Sequence, residues 1–274
     1  MPLSAGVVLV MTLMFGMFGA MFFMTFFFEN VHGLTPVDTG VRLLPLTGMM
    51  IVASPISGRL ITRTGPRGPL VGGMLLAALA LFGLSRIGLT SSLNDTIVWF
   101  ALLGLGLSPV VVGATDVIVG NAPVELAGVA GGLQSTAMQV GGTIGTAVLG
   151  AVMAARVGAL LPGRWSAAHL PPDALAGAES ATSVGVAPVP PGTPAPLADL
   201  ITAVSHATFV SGMSAAFLVA AIVALGGAGI ATLARRPQPE QLADLVQAED
   251  PATPAEAGDL FPAGPVSLPA AGDA

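Results

Sequence analysis

Long apolar runs broken by short polar links organise this chain. The first extends from about Gly6 to Phe28 without a charge. Others cover about 41–61, 70–87, 96–120 and 126–155, and the last lies within 205–233. Crossing a bilayer takes roughly 20 apolar residues in a helix, so most of these runs suffice on their own. The links are polar and mostly hold Gly or Pro. Glu29 to Arg42 contains Gly33 and Pro36, Gly58 to Gly68 contains Gly65 and Pro66, Ser91 to Asp95 is short, and Asn121 to Glu125 contains Pro123. The pattern predicts an all-alpha membrane protein with six transmembrane helices in residues 1–235. Thr35-Pro36-Val37-Asp38 reads as a helix start, with Thr35 as N-cap, Pro36 at the first helical position and Asp38 at the third.

Two regions depart from the pattern. Residues 156–199 are rich in Pro and Ala and predict a disordered loop. Residues 236–274 add acids to the same composition and predict a disordered tail. Six spans put both termini on one side of the membrane and the long loop on the other. The side with the Gly58–Gly68 turn holds Arg59, Arg63, Arg67, Arg235 and Arg236. The opposite side holds Arg42, Arg86, Arg156 and Arg164. That majority favours a cytoplasmic turn and cytoplasmic termini, in a multi-pass protein of a cell inner or plasma membrane, with the long loop extracytoplasmic.

Composition narrows the chemistry. The chain is 53% hydrophobic and only 9% charged, against about 25% charged in soluble domains. It carries no basic patch, which excludes a nucleic-acid partner. It has no cysteine, which excludes disulfides, thiol catalysis and cysteine-metal sites. His32, His169 and His206 lie on separate segments without further ligands at fitting spacing, so no metal site is expected. Gly104-Leu105-Gly106 lacks the helix start and lysine of a phosphate cradle. No cofactor and no enzymatic reaction are expected.

A few residues stand out inside the apolar runs. Asp116 lies about one turn inside the fourth. A carboxylate at that depth is costly and should face protein or a water-filled path. It either couples protons or binds a cationic cargo, with a low-dielectric site raising its pKa, or it solvates the mouth of a vestibule. Gln134 and Gln139 lie on the uncharged fifth run, about a turn apart, and bond either a cargo or a neighbouring helix. Gly128 and Gly132 are four apart, as are Gly141 and Gly145, a spacing that predicts close helix packing. In the first run Met14, Met17, Met21 and Met24 share a face beside Phe15, Phe18, Phe22 and Phe26. They serve packing and lipid contact, or they line a cavity for apolar cargo. Trp99 and Trp165 fit interface anchors.

Three pieces carry a family resemblance. They are Gly58-Arg59-Leu60 leading to Gly65-Pro66-Arg67, then Gly33-Leu34-Thr35-Pro36 leading to Gly40 and Pro45, and finally Ala127-Gly128-Val129-Ala130-Gly131-Gly132 followed by Gln139-Val140-Gly141-Gly142-Thr143-Ile144-Gly145. In this order they resemble the major facilitator superfamily, specifically the C-terminal six-helix half of the fourteen-helix drug:proton antiporters, the bacterial multidrug exporters. The resemblance implies proton-coupled efflux of small amphipathic or cationic compounds by alternating access. It implies that Gly58, Leu60, Gly65 and Arg67 form a cytoplasmic loop motif that holds a gate. Thr62 stands where that motif carries an acid, and Met138 where an arginine often precedes the glutamine. Complete members have about twice as many spans. The implied partners are therefore the bilayer, small-molecule cargo, protons, and a missing N-terminal half or a second copy. The alternative is a non-transporting truncated half or a structural partner of another membrane protein.

Overall fold

The computed structural model describes residues 2–119, 126–175 and 177–232. The expected link at 121–125, the closing Arg235 and Arg236, and the expected tail at 236–274 lie outside the described residues. Helix α1 spans Pro2–Phe26 and runs into a π-helical turn, Phe27–Val31. Helix α2 covers Pro36–Thr64, α3 Arg67–Leu84, α4 Leu93–Val119 and α5 Ala127–Ala167. A 3-10 turn at Pro172–Leu175 and a short α6, Ala178–Ser183, precede α7 at Ala195–Ala231. Among the described residues there is no strand, and 6 helices are long and apolar enough to cross a membrane.

Local chemistry sets the helix ends. The Thr35 hydroxyl accepts the Asp38 N–H at 3.2 Å, and Pro36 opens α2 with its φ already helical. At the other end Gly65 takes φ 88° and ψ 166°, and its N–H reaches the Ile61 carbonyl at 2.9 Å. That corner of backbone space is open essentially to glycine alone. The chain turns there, and α3 starts at Arg67. Between α1 and α2, the His32 N–H bonds the Phe27 carbonyl at 3.1 Å, which closes the wide turn.

Lipid is as apolar as leucine, so these helices associate through close packing of small residues. Helix α4 is the hub. A Cβ on Gly106 would stand 2.7 Å from both the Gly73 oxygen and the Ala77 nitrogen of α3. One on Gly104 would land on the Leu46 carbonyl of α2. The α1–α5 seam uses Gly141, whose Cβ would lie 2.6 Å from the Met11 Cα, and Gly145, whose Cβ would strike the Phe15 backbone. Helix α7 packs on α3, α5 and α1. Aromatic rings fill the centre. Phe23, Phe27, Phe28, Phe100, Phe209 and Phe217 are buried, and Phe23 meets Phe217 edge-on with centroids 6.3 Å apart. The Met and Phe stripe of α1 divides: Met14, Phe15 and Met24 enter this core, while Phe18 and Phe22 stay exposed.

The Pro- and Ala-rich region is where the structure departs from the expected disordered loop over 156–199. Helix α5 continues to Ala167, and α7 begins at Ala195. The described part of 168–194 folds onto one end of the bundle. Leu170, Ala178 and Thr182 are buried there. Asn30 Nδ2 donates to the Val184 carbonyl at 2.7 Å. Trp165, expected at the headgroups, is instead 1% exposed, and its Nε1 donates to the Pro171 carbonyl at 3.0 Å. Small side chains lose little freedom on burial, so a few buried groups and backbone bonds suffice to order this cap. The prolines mark its turns.

Candidate functional site

Helices α2 and α5 are the least buried of the six. The open face of α5 carries Val129, Leu133, Val140, Ile144 and Val148, all exposed, with Gly128, Gly132, Thr136, Gln139 and Thr143 between them. It is a wall without charge, apolar with interspersed hydroxyl and amide groups. On α2, Val41, Leu44, Ile51, Ile56 and Leu60 form a second open stripe.

The predicted polar residues fall partly together. Gln134 is half-buried, and its Nε2 donates to Thr115 Oγ1 on α4 at 2.6 Å. The Thr115 hydroxyl in turn donates to the Val111 carbonyl at 2.8 Å. Asp116 follows Thr115 and sits in the last described turn of α4, so α4 and α5 bring its backbone beside Gln134. Its carboxylate is exposed on this six-helix unit. A position on the rim of the bundle explains that exposure. Gln139 lies further along α5 with an exposed side chain, and its backbone carbonyl accepts the Thr143 hydroxyl at 2.9 Å.

The glycine pairs separate. Gly141 and Gly145 are pressed against α1, whereas Gly128 and Gly132 have nothing within 4 Å of where a Cβ would stand. For that first pair, the expected close approach is absent among the described residues. The loop motif separates likewise. Gly65 is required by its backbone conformation. Gly58 has open space around it, Leu60 is 45% exposed, and Arg67 is exposed at the start of α3. Thr62, in the acid's place, donates its hydroxyl to the Arg59 carbonyl at 2.9 Å.

The sequence missed three contacts. Ser57 and Ser108 meet at 3.2 Å between α2 and α4, both buried. The Ser57 hydrogen goes to the Ala53 carbonyl, so Ser108 is the donor. The second is the Thr115–Gln134 bond, of which the sequence offered only the Gln134 end. The third is the approach of His32 to His206, which are close enough to interact electrostatically. Burial, and then the Arg42 guanidinium, hold the His32 imidazole below its usual range. Its Nε2 is buried without a hydrogen-bond partner, and its ring stands edge-on to Phe27 at 4.6 Å. Among the described residues no three metal-ligating side chains gather.

Six packed apolar helices with an uncharged open wall suit movement of a solute, and comparison with known proteins gives the family. The sequence profile described as Major Facilitator Superfamily matches residues 2–146. The chain belongs to the major facilitator superfamily. Members of that superfamily are transporters, not enzymes. This superfamily chain is similar to a "Tetracenomycin C resistance and export protein" of Streptomyces glaucescens, 54% identical over 246 residues, covering 88% of this chain and 46% of that protein. It is also similar to "Multidrug resistance protein Stp" of Mycobacterium tuberculosis, 36% identical over 152 residues, covering 56% of this chain and 28% of that protein. "Methyl viologen resistance protein SmvA" of Salmonella typhimurium is 33% identical over 149 residues, 54% of this chain and 30% of that protein. The chain thus spans less than half the length of each of these relatives.

Proposed function

We propose that this chain is the C-terminal six-helix half of a fourteen-helix-type proton-coupled exporter of small amphipathic or cationic compounds. The observation that carries the reading is the 54% identity to a resistance and export protein along 88% of the chain. The complementary spans come from an N-terminal half or a second copy, and they meet the open faces of α2 and α5. The Gly58–Gly68 turn and both termini are cytoplasmic, and Arg67 contributes to the cytoplasmic gate. Asp116, at the rim of that open wall, takes up the proton or the cationic group. Gln139 offers an amide to cargo, and Gln134 fixes α5 through Thr115. An amide wall without fixed charge suits solutes that are mostly apolar, and one carboxylate suits a single positive charge.

The test uses the full chain in proteoliposomes, alone and together with the N-terminal half of the Streptomyces glaucescens relative. Flux of a fluorescent organic cation is followed under an imposed pH gradient. The pair is expected to show gradient-dependent flux, and Asp116→Asn in the pair is expected to lose most of it. No flux from a pair verified to be in the bilayer overturns the reading. Unchanged flux in Asp116→Asn removes the carboxylate from it.

A further inference from the structure

Helices α3 and α4 frame an open surface cavity of about 290 Å³ at the bundle end away from the Gly58–Gly68 turn. Gly83, Arg86, Ser91, Asp95, Val98 and Trp99 line it. Its volume is near the low end for ligand sites, as fits a small polar group. Gly83 makes room for the Trp99 ring, which occupies the space a Cβ would take. Arg86 lies just past the end of α3, with its guanidinium 4.9 Å from the Phe82 ring centroid. Asp95 lies in the first turn of α4 and is fixed by the Ser92 N–H, which it accepts at 3.1 Å. Ser91 Oγ accepts the Gly88 N–H at 2.9 Å, which leaves its own hydrogen to donate. Opposite charges thus share one cavity, each held by its own helix end.

The depth and the flanking surface identify the environment. The hydrophobic stretches of α3 and α4 end at Leu84 and begin at Asn94, so the cavity lies where hydrocarbon gives way to headgroups. Below Arg86 runs a stripe on one face of α3: Leu75, Leu79 and Phe82 are 47%, 50% and 42% exposed, at helical spacing. Val98, 63% exposed, flanks it on α4. We propose that this cavity binds the headgroup of a zwitterionic aminophospholipid of the surrounding bilayer. Arg86 and Ser91 hold the phosphate, Asp95 holds the primary ammonium, and one acyl chain lies along Leu75, Leu79 and Phe82. Arginine alone would accept any anionic lipid. The facing carboxylate favours a headgroup that has N–H bonds to donate, so ethanolamine lipids outrank choline lipids, which have none, and glycerol lipids, which lack the cation.

The experiment places the full chain in nanodiscs of equal parts phosphatidylethanolamine, phosphatidylcholine and phosphatidylglycerol. Lipid retained on release is identified by native mass spectrometry. Phosphatidylethanolamine is expected to dominate. Asp95→Asn is expected to erase its preference over phosphatidylglycerol while lipid is still retained. Arg86→Gln is expected to lower retention of both by roughly tenfold, the scale of one charge-assisted hydrogen bond. Arg86→Lys keeps the charge and is expected to keep the lipid, which separates a binding defect from a folding one. Equal retention of the three lipids by the unaltered chain overturns the proposal, as does an unchanged preference in Asp95→Asn. Displacement by soluble glycerophosphoethanolamine at lipid-like concentration also overturns it, because the site would then serve a free phosphate compound.

Discussion

The two glycine pairs of α5 have the same spacing on the same helix, and they meet opposite surroundings. At Gly141 and Gly145 the α1 backbone lies where a side chain would go. At Gly128 and Gly132 nothing stands within 4 Å. Helices α2 and α4 repeat the contrast: Gly104 and Gly106 are pressed between neighbours, while Gly40 and Gly48 face open space. Small residues four apart therefore mark where a backbone is able to come close. Whether it does within this unit depends on which face the bundle closes. The closed faces hold the six helices together, and the open ones are those that the proposed N-terminal half or second copy would meet.

The sharpest way to break this contrast is to fill both pairs. Gly145→Leu should cost at least about 1–3 kcal/mol, the range for overpacking, and should lower the melting temperature in detergent severely. A stable Gly145→Leu chain would mean that the α1–α5 seam is misplaced. Gly65→Ala sharpens the contrast from another side, because Gly65 is needed for its φ of 88°. It should cost on the order of 1–3 kcal/mol, read by the same melt, and Gly65→Asn should not recover more than part of that.

A smaller effect comes from acid at the closed end of the bundle. His32 has a folded pKa below its ordinary 6.5, from burial and then Arg42. The folded state therefore resists protonation there, with Arg42 and His206 nearby and Glu29 on the preceding turn. The stability it contributes is complete above 6.5 and is lost as pH falls through the folded value. Melting temperature should drop between pH 7 and 5, and His32→Gln should flatten that slope. The smallest expected change is Gly128→Leu. It should leave the melt of this chain within about 0.5 kcal/mol, as for an open surface site, while weakening flux of the paired halves. A large loss of stability would show that Gly128 is packed after all.

The six helices were legible because a bilayer demands an uninterrupted apolar run for each crossing. The start of α2 at Thr35 and its end at Gly65 were legible because capping and left-handed turns need particular residue types. The cap over the bundle was not. Ala178, Thr182 and the prolines of 168–194 read as disorder in one dimension, and their order depends on Asn30 and Trp165, which lie outside that segment. The His32–His206 approach was hidden for the same reason, since His32 follows the turn after α1 while His206 lies on α7, far apart along the chain. For the candidate site, sequence supplied Asp116, Gln134 and Gln139, and left open whether Asp116 is enclosed or solvated at the mouth of a vestibule. Exposure depends on which helices stand beside the rim.

Helix α5 is 41 residues long, about 60 Å at 1.5 Å per residue, while the hydrocarbon core is about 30 Å thick. It crosses the membrane and goes on to carry the cap, which Trp165 fastens to its far end. Such a shaft converts angle into distance. A tilt of about 6° at mid-length moves each tip by roughly 3 Å on an arm of about 30 Å. The cap is thus mechanically geared to any rocking of the bundle, and a probe attached near Val184 would report that motion from outside the bilayer.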